Sequence, residues 1–127
     1  MAIALLVGRI IVGFYFLTNA YNHIFKGSHL TGYVASKGVR SPKAAIVGSG
    51  FLLLIGGLSI LLGTYVVWGV VALLLFLVPV TFKMHAYWKE TDPMAKMNQQ
   101  IAFMKNLALI GFVLMTLAIQ TPWAYAL

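Results

Sequence analysis

The chain has 127 residues, 61% of them hydrophobic and 9% charged, with a net charge of +7. Soluble domains carry about 25% charged residues, so this composition excludes a water-soluble globule and places the chain in a membrane. It has no cysteine, which removes thiolate metal sites, thiol–disulfide exchange and a cysteine nucleophile. Its basic residues flank apolar segments instead of forming a run, so they read as an orientation signal and not as a nucleic-acid footprint.

The first apolar segment covers residues 2–24. A signal peptide would need a basic region before a short apolar core. Nothing basic precedes this run, Arg9 interrupts it, and it is too long for such a core, so it reads as the first membrane span. A second apolar segment covers residues 44–62, a third 65–82 and a fourth 101–120. Each is close to the ~20 residues a helix needs to cross ~30 Å of hydrocarbon. Open strands cannot satisfy their backbone in lipid, which leaves helices. The expected fold is all-α: a four-helix transmembrane bundle with antiparallel up-down topology.

Connections differ in length. Gly63-Thr64-Tyr65 is minimal and predicts a tight hairpin of the second and third spans, with Gly63 ending a helix. Residues 26–43 form a long polar connection with three glycines, and Ser41-Pro42 predicts a helix start. Residues 83–100 form the second long connection, with Thr91-Asp92-Pro93 starting an interfacial stretch before the fourth span. Lys26, Lys37, Arg40, Lys43, Lys83, Lys89 and Lys96 all fall on the long-connection side. The positive-inside rule then puts both long loops in the cytoplasm and both termini outside the cell (inner) membrane. Tyr65, Trp68, Trp123 and Tyr125 fit an outer aromatic belt, and Tyr87 and Trp88 an inner one.

Small residues in the second span (Ala45, Gly48, Gly56, Ser59 and Gly63) share a stripe that lets helices approach closely. A glycine-lined path is the functional alternative. Pro79 frees the carbonyl of Leu75 and predicts a kink in the third span.

Polar residues inside the spans are the candidates for function. A charged side chain at mid-membrane costs roughly 2.5–3.5 kcal/mol on insertion scales. Arg9, Phe16, Ala20 and His23 fall within about 60° of one another at 3.6 residues per turn, and Asn19 borders them. That side is expected to face the bundle interior. Thr81, His85 and Trp88 share a face if the third span continues past Phe82. Asn98, Lys105, Thr116 and Gln120 form a polar stripe on the fourth, with Asn106 beside it.

Depth separates these into two groups. Asn19, His23, Thr81, His85, Asn98, Lys105 and Asn106 belong near the long connections, and Arg9 near the opposite end with Ser59 and Thr116 as its expected partners. Glu90 and Asp92, the two acids, lie in a loop. A carboxylate relay and a two-metal or metalloprotease site are therefore excluded, and no metal is expected. Buried cations without acids call for carbonyls, an anion, a lipid, a quinone carbonyl or an acid from another subunit. A b-type haem between His23 and His85 is disfavoured, because nothing else points to a porphyrin pocket.

"VGRIIVGFYFLTNAYNHI", "GYVASKGVRSP", "VTFKMHAYWKETDP" and "QQIAFMKNLALIG" resemble, in order, signatures of the DoxX family. Arg9, His85 with Trp88, and Lys105 with Asn106 carry the more specific part. Many members have proline where this chain has Arg40. The resemblance implies a small four-helix membrane protein near the quinone pool, since the family is linked to terminal quinol oxidase, thiosulfate:quinone oxidoreduction and oxidative-stress complexes. It implies a quinone- or quinol-associated accessory subunit, with Arg9, His85 and Lys105 donating to quinone carbonyls and Asn19, His23, Trp88 and Asn106 shaping the site. A partner oxidoreductase subunit or a homo-oligomer is implied with it. It does not imply that the chain is itself catalytic. A non-catalytic scaffold or assembly protein is the alternative, and a small-solute carrier a further one, although no internal repeat is evident.

Overall fold

A computed structural model describes residues 1–127, and all of its regular structure is helical. Four long helices, α1 (Ala2–Phe25), α3 (Pro42–Leu62), α4 (Val66–Met84) and α5 (Pro93–Thr116), are each long and apolar enough to cross a membrane. The short helix α2 (Thr31–Ser36) lies in the first long connection, after a 3-10 turn at Gly27–Leu30. A second 3-10 turn, Tyr87–Lys89, follows α4.

Only 25 of the 127 residues are buried, and the exposed ones include Phe14, Phe51, Ile55, Trp68, Leu75, Phe82 and Met115. Water would reject such a surface; lipid accepts it. The core runs through Phe16, Leu53, Ile60, Leu73, Leu77 and Val113.

Neighbours in sequence are neighbours in space. α1 packs along α3, α3 on α4 and α4 on α5, while α1 and α5 are not among the closely packed pairs. Glycine allows the closest approaches. A Cβ on Gly57 would meet the Leu17 backbone nitrogen at 3.2 Å, and one on Gly13 the Leu61 Cα at 3.2 Å. On the other face of α3, Gly56 sits against Leu73 and Ser59 against Gly69. Gly63 takes φ 70°, the left-handed conformation expected of a residue ending a helix.

α3 starts at Pro42 behind Ser41, as the Ser-Pro pair predicts, although the Ser41 side chain makes no capping bond. The fourth span differs from expectation at both ends. It begins at Pro93, not near residue 101, because Asp92 caps it by accepting from the Ala95 N–H at 2.9 Å. Hydropathy marks where a helix meets lipid, not where it starts. At ~1.5 Å per residue this helix is ~36 Å long, so its polar first turns extend past ~30 Å of hydrocarbon. It ends at Thr116, not near residue 120, because its last turn tightens into bonds from Leu117 to Leu114, Ala118 to Met115 and Ile119 to Thr116. Gln120 therefore lies beyond the helix. The chain then folds back across the bundle end until the Leu127 N–H donates to the Leu62 carbonyl at 2.9 Å. This return buries Trp123 to 3% exposure, so Trp123 belongs to the core and not to an aromatic belt; Tyr65, Trp68 and Tyr125 are exposed.

Candidate functional site

Two polar centres occupy opposite ends of the bundle. The first is built on Arg9, which is 3% exposed. The last four carbonyls of a helix lack intrahelical partners. At the end of α3 these belong to Ser59, Ile60, Leu61 and Leu62. Gly63 and Thr64 donate to Ser59, and Leu127 donates to Leu62. Arg9 supplies the rest: Nε donates to Ile60 at 3.3 Å and Nη2 to Leu61 at 3.0 Å. Its Nη1 donates to the Ala124 carbonyl and Nη2 also to Tyr125 at 3.2 Å. The guanidinium lies 6.0 Å from the centre of the Trp123 ring. Carbonyl dipoles at a helix C-terminus, where the helix is negative, thus take the place of a carboxylate.

Ser59 and Thr116, expected to meet Arg9, do not. The Ser59 hydroxyl donates to Thr64 and Tyr65 carbonyls at 2.7 and 3.0 Å, and the Thr116 hydroxyl to Val113 at 2.6 Å. Short hydroxyls find backbone carbonyls nearby, and the long forked arginine reaches the rest.

The second centre is a cavity of about 550 Å³ towards the long connections. Its walls are mostly apolar, from Phe16, Leu53, Phe76, Leu77 and Val80 among others. Of the residues grouped by depth, Asn19, His23, His85, Lys105 and Asn106 line it, and Thr81 and Asn98 do not. Nor do Arg9 and Trp88. Trp88 is 50% exposed and packs edge-on against Tyr87 and Phe103. The helical face expected to carry it breaks because α4 stops at Met84 and the chain turns at Tyr87–Lys89. Thr81 is fully buried and donates to Leu77 at 2.5 Å.

Both histidines are held by directed hydrogen bonds. The Ser49 hydroxyl gives its one proton to the Ile46 carbonyl at 2.7 Å, so at 2.8 Å it accepts from His23 Nδ1. The Tyr33 hydroxyl donates to the Met84 carbonyl at 2.9 Å and accepts from Gln99 Nε2 at 2.7 Å. Gln99 Oε1 then accepts from His85 Nδ1 at 2.8 Å. Each neutral imidazole consequently carries its proton on Nδ1, and Nε2 is the nitrogen available to a ligand.

The donors are arranged differently. Asn106 is 5% exposed, and no hydrogen bond engages its carboxamide. Lys105 Nζ lies 5.8 Å from the centre of the Tyr15 ring, bridging α5 to α1. Asn19 donates to the Tyr15 carbonyl at 2.8 Å, which leaves its oxygen free. Lys83 adds a second cation to the lining, and no carboxylate contributes to it. Glu90 is paired with Lys37 at 3.1 Å, and Asp92 caps α5. No cluster of metal-binding side chains is present.

Sequence reasoning missed Tyr33, Ser49, Lys83 and Gln99. Tyr33 and Gln99 stand in stretches read as connections, where only their polarity and the capping signal at Asp92 hinted at order. The small-residue stripe of α3 divides between two roles: Gly56 and Ser59 pack on α4, while Ala45 and Gly48 line the cavity. Leu75 and Pro79 line it too, where Pro79 offers no N–H to the Leu75 carbonyl.

No curated protein and no solved structure matches the chain. The DoxX family model matches residues 4–86, from α1 through Ala86, so Trp88, Lys105 and Asn106 lie outside the matched stretch. Over most of its length, and with four apolar helices suited to a bilayer, this integral membrane chain belongs to the DoxX family.

Proposed function

We propose that the cavity binds the ring of a quinone or quinol, and that the chain serves as an accessory subunit of a membrane oxidoreductase or oxidative-stress system. The observation that carries this reading is the pairing of free donors and free acceptors in one apolar cavity without an acid. Ligand pockets of ~300–1,000 Å³ with apolar walls and a few convergent polar groups are typical of small-molecule sites. Lys105 and Asn106 would donate to carbonyl oxygens. Nε2 of His23 and His85 would accept from hydroxyls. The same residues therefore suit both forms of the ligand, which differ by two protons and two electrons; the redox chemistry is the quinone's own. Asn19 orders the wall beside His23.

Arg9 takes no part in this site. Four carbonyls occupy it at the other end of the bundle. The orientation that accompanies the reading places the long connections, which carry the lysines, in the cytoplasm and the termini outside the cell membrane. The cavity then opens in the cytoplasmic half.

Protein purified in mild detergent and extracted with organic solvent tests the proposal. Retained quinone near one per chain, depleted in Asn106→Leu and Lys105→Met protein of unchanged helix content, supports it. Quinone-free extracts together with no saturable uptake of added quinone overturn it.

A further inference from the structure

The α3–α4 hairpin is closed at one end and open at the other. Near its turn the helices touch through glycine, with Gly56 against Leu73 and Gly69 against Ser59. Further along, a Cβ on Gly48 would meet nothing within 4 Å. Ala45 and Gly48 of α3 and Leu75 and Pro79 of α4 line the cavity and are exposed, Leu75 by 58%. Exposed apolar residues from two neighbouring helices on one cavity wall mark a mouth.

That mouth lies at membrane depth. Gly48 stands about six residues, or ~9 Å, inside α3, and Pro79 about five residues, or ~8 Å, before the end of α4. None of the four rim residues carries a polar side chain, so the opening faces acyl chains. The same lining also carries polar groups. Asn106 is 5% exposed with an unpartnered carboxamide, and it lies with Lys105 on α5 and with His85 just past the end of α4, without a carboxylate. Polar groups on one helix and an apolar opening between two others match an amphiphile.

We propose that the ligand's apolar tail leaves the cavity between α3 and α4, across Gly48 and Pro79, into the surrounding lipid. This rests on the quinone reading for the head group and adds the class of ligand: a quinone bearing a long hydrocarbon chain, exchanged laterally with the bilayer. Gly48 is the position where a side chain would close the passage.

The chain has no cysteine, so Gly48→Cys protein can be modified at one site after folding. Two benzoquinones with the same ring, one with a decyl chain and one without, are titrated into protein in mild detergent. The matched control is Gly111→Cys, on an exposed stretch of α5 where a Cβ also meets nothing within 4 Å. Unmodified Gly48→Cys protein is expected to bind the decyl compound at least about tenfold more tightly than the chainless one, because the first methylenes of its chain are covered as they cross the rim, at about 0.8 kcal/mol each. A bulky maleimide on Gly48→Cys is expected to remove that preference and leave the chainless compound bound as before; a methylthio group is expected to have little effect, and neither adduct on Gly111→Cys any. Decyl binding unchanged by the bulky adduct overturns the lateral mouth while the quinone reading stands. Equal loss of both compounds also overturns it, by placing Gly48 beside the head group. Failure of both compounds to bind unmodified protein removes the quinone reading and the mouth with it.

Discussion

Arg9 Nη2 donates to the Leu61 carbonyl at 3.0 Å, across two helices that run in opposite directions. The bond joins a cation in the first helix to the C-terminal end of the next long one. With the bond to Ile60 it satisfies the α3 carbonyls left without partners by the other end bonds. A charge in a membrane span is here a helix cap and a clamp on the returning C-terminal segment.

Replacing Arg9 with Leu should therefore lower stability. Hydrogen bonds to charged groups contribute about 1.5–3 kcal/mol each, and the uncapped carbonyls remain behind, so a loss on the order of 3 kcal/mol is expected. Lysine should restore only part, since a point charge cannot fork to several carbonyls. Unfolding of detergent-solubilised protein by increasing denaturing detergent measures the loss. Whatever folded R9K protein remains should bind cavity ligands normally.

Gly63→Ala tests the same end of the bundle from the opposite side. Its φ of 70° disfavours any Cβ, and the added atom would sit 2.9 Å from Arg9 Nη2. The left-handed conformation alone costs roughly 1–2 kcal/mol. The expected outcome is a lower unfolding midpoint and looser protection of the C-terminal segment, read by faster amide exchange at Ala126 and Leu127.

Much of this architecture was legible in the sequence, and the reasons for the exceptions are specific. Segment lengths gave four spans because lipid thickness fixes helix length. Asn19, His23, His85, Lys105 and Asn106 meet in one cavity because helical periodicity and depth locate them without knowledge of packing. Arg9's partners were beyond reach: they are backbone carbonyls, which every residue carries, and Ala124 and Tyr125 are far away in the chain. Trp88 was misplaced because nothing in its neighbourhood announces that α4 stops at Met84. Tyr33 and Gln99 meet only because two long connections fold onto each other.

Tyr33→Phe should loosen that meeting. It removes the donor to Met84 and the acceptor for Gln99, and so the support for His85 Nδ1. Loss of these two hydrogen bonds is expected to cost on the order of 2 kcal/mol of stability. Binding of quinone should weaken several-fold, measured by equilibrium titration, while α1–α4 remain folded by circular dichroism.

Ser49→Ala should act on His23 alone. Without the serine oxygen, Nδ1 loses its acceptor and the ring is free to change tautomer. Nitrogen chemical shifts of labelled histidine should move from the Nδ1–H form towards a mixture for His23, with His85 unaffected.

The central claim is that Asn106 and Lys105 hold the carbonyls of a quinone ring in the cavity while Arg9 serves the fold. Equilibrium titration of a decyl benzoquinone into the unmodified protein and into Asn106→Leu, Lys105→Met and Arg9→Lys proteins measures it most directly. The account predicts saturable binding near one per chain, weakened at least about tenfold in the first two variants, as expected for loss of a hydrogen bond of about 1.4 kcal/mol, and unchanged in the third. Binding that is absent throughout, or lost in the Arg9 variant and kept in the other two, would contradict it.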